Sequence, residues 1–144
     1  MNAEISLVKT EAALAEVAAL DRLLDEDMMR ILPDFFRSGE VTRNYDGYLD
    51  GSKNFALLAW VDGAAVGMAR CVLGNVAMLE SLVVKPGLRG QGIGSALLAA
   101  ARETAQERGH KLMMLNVLYG NDGARRLYER SGFQEFRTAM YLEI

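Results

Sequence analysis

The stretch that decides the fold is "LVVKPGLRGQGIGSALL", residues 82–98. Its β-branched apolar start is typical of a buried strand, which stops at Lys85-Pro86-Gly87, and a glycine-rich segment then leads into a helix. A helix start leaves about four backbone N–H groups unpaired. The first helical turn has no acidic side chain, although an acid there would suit the helix dipole. The pattern therefore predicts an anion site, and we interpret the anion as a ligand's phosphate.

Other interpretations of the glycine segment compete with this one. A Walker A loop is excluded because no lysine follows Gly92 or Gly94. A dinucleotide fingerprint would need its third small residue at Ser95 and an acidic residue closing the next strand, where this sequence has Asn116. Such a fingerprint also normally follows the first strand of its sheet, whereas here three predicted antiparallel strands precede the glycine segment. The remaining alternative is a tight strand-to-helix connection that binds nothing.

Length, composition and charge limit the class of protein. The length of 144 residues predicts one domain, residues 1–144. Hydrophobic residues make up 51% of the sequence and charged residues 24%, a composition typical of a soluble globular protein. A net charge of −3 argues against nucleic-acid binding. The apolar runs are too short for a membrane helix and the start does not resemble a signal peptide, so we expect a cytoplasmic protein without membrane contact. One cysteine and one histidine argue against a zinc site, so no metal is expected.

Periodicity and turn signals predict the other elements. A strand over 4–9 precedes a helix that Thr10 caps, and residues 31–54 predict short helices and loops. Asp62-Gly63 predicts a hairpin within "FALLAWVDGAAVGMARCVLG", and "VAMLESLVV" continues the meander. After the glycine segment follow a helix ending at Gly109, a strand buried on both faces ("KLMMLNVL"), a short helix ("GARRLYERSG") and a last strand or strand pair ("FQEFRTAMYLEI"). The expected fold is α/β with a mixed sheet, antiparallel first and parallel around the β-α-β crossover.

Two blocks of the sequence resemble one family. "RGQGIG", residues 89–94, fits the pattern Arg/Gln-x-x-Gly-x-Gly/Ala of the GNAT superfamily of acetyl-coenzyme A (acetyl-CoA) dependent N-acetyltransferases, and the preceding "LVVKP" fits the family's strand ending in Val-x-Pro. "NDGARRLYERSGF", residues 121–133, is similar to the family's second block, in the family's order and spacing. The resemblance implies a GNAT-like fold with splayed parallel strands and about four helices.

The resemblance also implies how acetyl-CoA would be bound as a co-substrate. The glycine segment would take its diphosphate, with charge added by Arg89, and its pantetheine arm would pair with the strand like an added strand. Asn121 and Tyr128 match cofactor-contacting residues of the second block. The cofactor-binding residues predicted in this way are Leu82, Val83, Val84, Arg89, Gly90, Gln91, Gly92, Ile93, Gly94, Ser95, Asn121 and Tyr128.

Two residues are candidates for catalysis. Glu80 is predicted to lie on the same strand face as Leu82, and some family members, notably aminoglycoside acetyltransferases, have a glutamate at the matching position that could act as a base. Its alternatives are a solvated strand residue or half of an ion pair. Tyr128 matches the tyrosine that acts as general acid in many relatives, and its alternative is a core aromatic. Asn121 could be only a helix N-cap.

Other candidate residues have structural interpretations or argue against one subfamily. Asn116 stands where ribosomal-protein N-terminal acetyltransferases carry a glutamate, and an amide cannot act as a base, which argues against that subfamily. Cys71 is predicted to be a core residue and His110 a turn residue. The acidic run 25–27 predicts a solvated helix end or a contact for a cationic acceptor. The aromatic residues predicted to wall an acceptor pocket or to fill the core are Phe35, Phe36, Tyr45, Tyr48 and Trp60.

Three functions remain open at this point. The first is an N-acetyltransferase in which a primary amine of a small molecule or protein attacks the thioester directly. The second is a non-catalytic acetyl-CoA-binding sensor or regulatory module, and the third is an unrelated nucleotide-binding domain. Residues 25–54, which usually shape the acceptor pocket, carry no motif, so the acceptor is not identified. A homodimer is compatible with the sequence.

Overall fold

Within residues 2–37, 43–49 and 53–144, which the computed structural model describes, the chain forms five strands, three α-helices and one short 3-10 helix. The elements in chain order are β1 (Glu4–Leu7), α1 (Glu11–Met29), the 3-10 helix (Asp34–Phe36), β2 (Phe55–Val61), β3 (Ala64–Leu73), β4 (Ala77–Val84), α2 (Ile93–Glu107), β5 (Met113–Leu115) and α3 (Asp122–Arg130). About four helices were expected, and the fourth is this single 3-10 turn.

The five strands form one mixed sheet in the order β1-β2-β3-β4-β5. The first four are antiparallel and β5 is parallel to β4, as the sequence predicts. The hairpin between β2 and β3 turns at Asp62 and Gly63, whose φ angles of +52° and +80° match the two-residue turn that such strands favour. The mixed α/β fold is therefore confirmed.

The two long helices cover opposite faces of the sheet. Buried residues of α2, such as Leu97 and Ala101, pack with Phe55 and Leu79 on one face. Val17 and Leu20 of α1 pack with Met68 and Val83 on the other face. The predicted cap of α1 is confirmed because the Thr10 hydroxyl accepts from the Ala13 N–H at 3.1 Å. Gly109 lies just beyond the C-terminal end of α2 and has a φ of +88°, as expected of a glycine that ends a helix.

Three predictions about the connections and strands need correction or lie outside the structure. The strand predicted over residues 111–118 is only three residues long, because β5 pairs with β4 at residues 77–79 and then diverges. Residues 134–144 form no strand, because an extended segment needs a neighbour and none pairs with them in the described chain. Of the predicted loop region, residues 38–42 and 50–52 lie outside the described residues.

Candidate functional site

The site forms where β4 and β5 separate. Beyond Leu79, no strand within the described ranges pairs with the edge of β4 that faces β5. The Lys85 N–H donates to the Val66 carbonyl of β3 at 2.8 Å, whereas the Val84 carbonyl accepts from Arg89 Nε at 2.8 Å on the open edge. Because backbone groups alternate along a strand, the N–H and carbonyl of Leu82 also lie on this open edge. The splay that the predicted pantetheine path requires is therefore present.

A β-bulge in β4 sets the direction of Glu80. Arg70 lies opposite Ser81 and Cys71 lies opposite Leu79, so Glu80 is the extra residue of the bulge. Leu79 and Leu82 both pack on the α2 face of the sheet. Leu79 and Leu82 share a face although they are three residues apart, so strand alternation does not give the face of Glu80, and its sharing a face with Leu82 stays a prediction.

A cavity of about 210 Å³ opens at the splay. It brings together Glu80 and Leu82 of β4 with Asn121 and Tyr128 of the second sequence block. It is lined by Leu24, Asp25, Met28, Arg43, Leu79, Glu80, Ser81, Leu82, Asn116, Val117, Leu118, Asn121, Ala124 and Tyr128. Both predicted catalytic residues therefore face one small space beside the open edge of β4.

The charges of the cavity leave one carboxylate without a partner. Asp25 and Arg43 form a bidentate ion pair with N–O distances of 2.5 and 2.6 Å, so their charges offset each other. No cation in the described ranges forms an ion pair with Glu80, whose side chain is exposed to the cavity. The lining therefore has one net negative formal charge, which suits a cationic ligand.

Tyr128 presents a neutral phenol to the same cavity. It lies on α3, where its ring packs edge-on against Phe133 with centroids 5.8 Å apart. Burial raises the pKa of the Tyr128 hydroxyl to about 12, so it stays protonated near neutral pH. Among the described residues the hydroxyl forms no hydrogen bond, and it is therefore available to donate one to a ligand in the cavity.

A buried hydrogen-bond network lies behind the bulge. The Asp21 carboxylate, which is 0% exposed, accepts from Ser81 Oγ and from the Tyr45 hydroxyl, both at 2.6 Å. Arg70 lies 3.1 Å from Asp21 and donates to Ser81 Oγ and to the Tyr48 hydroxyl, both at 3.0 Å. Burial raises the pKa of both tyrosines, which remain neutral. The network fixes Ser81 and with it the bulge.

The start of α2 has the features that an anion requires. Gly90 and Gly92 have φ angles of +76° and +86°, and a Cβ at either position would meet no atom within 4 Å. No side chain caps the helix, its first turn has no acid, and the Ser95 side chain is exposed. The free N–H groups therefore face open space, which a diphosphate could occupy.

Other residues of the glycine segment have structural contacts. A Cβ on Gly94 would approach Leu127 to 3.3 Å, so this glycine permits α2 and α3 to pack closely. Ile93 is 3% exposed and anchors the helix in the core. The Gln91 amide donates to the Gly87 carbonyl at 3.4 Å. These residues belong to the scaffold that holds the helix start.

Three predicted cofactor-binding residues have other partners in the structure. Arg89 donates to the Asp27 carboxylate at 2.7 Å as well as to the Val84 carbonyl. Asn121 caps α3, because its Oδ1 accepts from the Ala124 N–H at 3.4 Å, and it lines the cavity as well. The Val83 side chain is 4% exposed in the α1-side core, and its backbone groups face β3 because they alternate with those of Val84.

The weaker candidates mostly have structural roles. Cys71 is fully buried and burial raises the pKa of its thiol to about 12, as expected of a core residue. His110 Nε2 lies 2.9 Å from the Gly74 carbonyl and ties α2 to the β3–β4 turn. Asp25 and Asp27, predicted as part of a solvated helix end, are both in ion pairs, and Asp25 also lines the cavity. Asn116 lines it too.

The five aromatic residues considered for the acceptor pocket do not line this cavity. Tyr45 and Tyr48 belong to the network behind the bulge, whereas Phe35 and Phe36 are 63% and 44% exposed. Trp60 lines a shallow depression of about 500 Å³ at the β1 edge, three strands away from the splay, together with Asn2, Glu4, Ser6, Asp62 and Gly63. Asp25, Met28 and Arg43 line the cavity instead.

Sequence reasoning missed Arg43 and the network of Asp21. Arg43 reaches Asp25 across 18 residues of a segment without a motif. Asp21 gives one local signal, because it follows Val17 by four residues and so lies on the buried face of α1. An acidic residue on an apolar helix face indicates a buried partner. None of the helices in the described ranges is both long and apolar enough to cross a membrane.

Comparison with known proteins adds three findings. A family model described as the acetyltransferase (GNAT) family matches residues 22–133. An uncharacterized N-acetyltransferase of Methanocaldococcus jannaschii is 37% identical over 83 residues, which is 52% of this chain and 37% of that protein. A thialysine N-epsilon-acetyltransferase of Bos taurus is 39% identical over 66 residues, covering 46% of this chain and 39% of that protein. The chain thus spans well under half of the length of these two relatives.

The fold is also similar to that of solved structures. An aminoglycoside N-acetyltransferase determined in complex with CoA superimposes with a TM-score of 0.74 and 19% identity. The superposition covers 98% of this chain and 98% of that chain. At this identity the likeness concerns the fold alone.

Proposed function

The chain belongs to the acetyltransferase (GNAT) family, and from this premise we propose that residues 1–144 act as one domain that transfers an acetyl group from acetyl-CoA to a primary amine. The observation that carries the proposal is the cavity at the splay, which both Glu80 and Tyr128 line beside the open edge of β4. The acceptor would be the amine of a small molecule or of a protein.

Acetyl-CoA would be held at two distant points. The free N–H groups at the start of α2 and the open space over Gly90 and Gly92 fit its diphosphate. The open edge of β4 offers the backbone of Leu82 to the pantetheine arm. When bound, acetyl-CoA supplies the activated acetyl group and a thiol that can leave.

Glu80 is proposed to take the proton of the acceptor amine, directly or through water. An alkylamine has a pKa near 10, so its reactive form is about three units, or roughly 4 kcal/mol, unfavourable at neutral pH. The Glu80 carboxylate has no cationic partner in the described chain and lines the cavity, so it is free to pair with an incoming ammonium group. It would take one proton from the ammonium group, and the free amine would then attack the thioester carbonyl. As the C–N bond forms, the C–S bond breaks, the CoA thiolate departs, and the second N–H proton passes to water.

Two groups are proposed to stabilise the charges that develop. The Leu82 N–H on the open edge would donate to the thioester oxygen, a contribution commonly of about 3 kcal/mol. The neutral Tyr128 hydroxyl would donate a proton to the departing thiolate of CoA.

The single net negative charge of the cavity supports an acceptor that carries one cationic amine at the reacting end. The names of relatives agree with small amine acceptors, since they include a thialysine N-epsilon-acetyltransferase and an aminoglycoside N-acetyltransferase. We propose the same broad class here, without a choice of one compound.

We expect acetyl-CoA to raise the melting temperature of the protein. A ligand that binds only the folded state adds about 2.7 kcal/mol of stability at a hundred times its Kd. Thermal denaturation with acetyl-CoA, with ATP and without ligand measures this effect. No shift with acetyl-CoA at millimolar concentration would contradict the proposal, and a larger shift with ATP would favour an unrelated nucleotide-binding domain.

A panel of amines, with release of free CoA as the readout, tests catalysis separately from binding. Turnover with any primary amine supports the acetyltransferase function. Binding of acetyl-CoA with no turnover over a broad panel would favour the non-catalytic sensor or regulatory module.

Gly92→Val is expected to weaken acetyl-CoA binding by about tenfold, because its side chain would fill the open space before α2. Gly109→Val is a matched control, since Gly109 has a φ of +88° and also meets no atom within 4 Å, but lies beyond the other end of α2. Both variants should lose similar stability from backbone strain. Isothermal titration should then show weaker binding only for Gly92→Val, and equal binding would indicate a merely structural glycine.

Tyr128→Phe is expected to lower turnover by about tenfold while the Kd for acetyl-CoA stays nearly constant, because the ring remains and only the proton donor is lost. Steady-state kinetics and titration of the same samples provide both values. Tyr119→Phe is the control, because Tyr119 is 94% exposed. Unchanged turnover in Tyr128→Phe would leave Tyr128 with a packing role only.

A further inference from the structure

An ion pair lines the cavity together with Glu80. Among the residues that the structure describes, the other charged members of the lining are Asp25 of α1 and Arg43. Their side chains are 21% and 22% exposed, so the pair is partly open to the cavity. With the reacting amine at Glu80, any other charged group of an acceptor within the cavity meets this pair. The charges of Asp25 and Arg43 therefore bear on which acceptors fit.

Arg43 is held by two acidic residues that stand one turn apart on α1. Its Nη atoms donate to the two carboxylate oxygens of Asp25 at 2.5 and 2.6 Å, and its Nε lies 3.9 Å from Asp21. Hydrogen bonding to Asp25 raises the pKa of Arg43, so the guanidinium stays charged. Within the described ranges Arg43 is the only ion-pair partner of Asp25, whereas Asp21 also pairs with Arg70. Loss of Arg43 would therefore leave Asp25 as an unpaired anion in the cavity lining.

We propose that Arg43 is a specificity-determining residue: because it neutralises Asp25, the cavity selects acceptors whose only charge is the reacting ammonium group. This inference rests on the proposed function, in which Glu80 receives that ammonium group. A second ammonium group, or a carboxylate, would lose hydration beside a pair that is already neutral, and burial of an uncompensated charge is costly. The pair acts against acceptors that carry a second charge and favours no single compound.

A purely structural ion pair would behave differently. Arg43 precedes Tyr45, whose hydroxyl donates to Asp21, and a structural pair would only hold this segment against α1. Its loss would lower kcat/KM for every acceptor by the same factor. A pair that sets specificity changes the ratio between acceptors of similar length and different charge. Pentylamine, cadaverine and 5-aminopentanoate form such a series, with a remote methyl, ammonium and carboxylate group.

Three variants, assayed by kcat/KM with this series, test the proposal. Arg43→Gln leaves Asp25 unpaired and should raise the ratio of cadaverine to pentylamine by at least about tenfold, because hydrogen bonds to charged groups are strong. Asp25→Asn leaves the cation and should raise the ratio of 5-aminopentanoate to pentylamine by about threefold, a smaller factor because Asp21 remains near Arg43. The double variant has a neutral pair of side chains and should restore the ratios of the unmodified protein.

A second ion pair of the same chemistry is the control. Arg37→Gln opens the pair of Arg37 with Asp34, which does not line the cavity, and should leave both ratios unchanged. Both acceptors in a ratio are measured on the same sample, so partial unfolding of a variant cancels. Differences in amine pKa cancel as well, because each ratio is compared with that of the unmodified protein.

Titration of the three amines in the presence of CoA gives Kd values that do not depend on turnover. Ratios of Kd that follow the charges of the variants support the role of Arg43 even where none of the amines is acetylated. The panel of amines with CoA release decides the proposed function separately. Ratios that do not change in Arg43→Gln, or that change equally in Arg37→Gln, would overturn the role of Arg43. Failure of all three amines to bind would overturn it too.

Discussion

Glu80→Gln is expected to lower turnover at pH 7 by about a hundredfold to ten-thousandfold, the usual range for the loss of a general base. Glutamine keeps the shape of the side chain and its place in the bulge but cannot accept the proton. As the pH rises toward the pKa of the amine, near 10, free amine forms without help and the loss should shrink. The pH profile of turnover, measured from pH 6 to pH 10 with one acceptor, checks both statements.

The pH profile also separates a base from a residue that only positions the acceptor. A positioning role predicts the same fractional loss at every pH, because the missing contact does not depend on the protonation of the amine in solution. Glu103→Gln, on an exposed turn of α2, should leave turnover unchanged at all pH values. Full activity of Glu80→Gln under conditions where chemistry limits the rate would remove Glu80 from the mechanism.

The start of α2 is predictable from the sequence because its signals are local. Pro86 ends the strand, the glycines permit positive φ angles, and the helix shows its own apolar period. Each signal acts over a few residues, so no knowledge of distant partners is needed. The hairpin at Asp62-Gly63 is predictable for the same reason.

The direction of Glu80 could not be predicted, because the bulge depends on how two strands pair. The extra residue becomes visible only when Arg70 is found opposite Ser81 and Cys71 opposite Leu79. Strand alternation read from β4 alone assumes a regular ladder. The same limit applies to residues 134–144, whose alternation predicts a strand although the described chain provides no neighbour for it.

Asp21→Ala is expected to lower the free energy of unfolding by about 3–5 kcal/mol, which is about a hundredfold to several-thousandfold in the folding equilibrium. The carboxylate is 0% exposed and lies 3.1 Å from the guanidinium of Arg70, which is itself 7% exposed. Without Asp21 the cation stays buried and unpaired, and Ser81 and Tyr45 lose their acceptor. Urea denaturation at constant pH measures the change.

The matched control for this prediction is Asp34→Ala, which removes a carboxylate that pairs with Arg37 at the surface and is 94% exposed. Such ion pairs are screened by solvent, so Asp34→Ala should change the free energy of unfolding by no more than about 1 kcal/mol. A loss in Asp21→Ala no larger than in this control would contradict the prediction.

The double variant Asp21→Leu with Arg70→Met identifies the cause of the loss. If the unpaired buried cation is responsible, removal of both charges should recover much of the stability that Asp21→Ala loses, because apolar side chains of similar size can replace a buried pair. If lost hydrogen bonds to Ser81 and Tyr45 dominate, the double variant should be as unstable as the single one. In both variants Ser81 loses Asp21 as its acceptor. If the network positions Glu80 through the bulge, we expect the double variant to have low turnover even where its stability is recovered, and turnover equal to that of the unmodified protein would contradict this role.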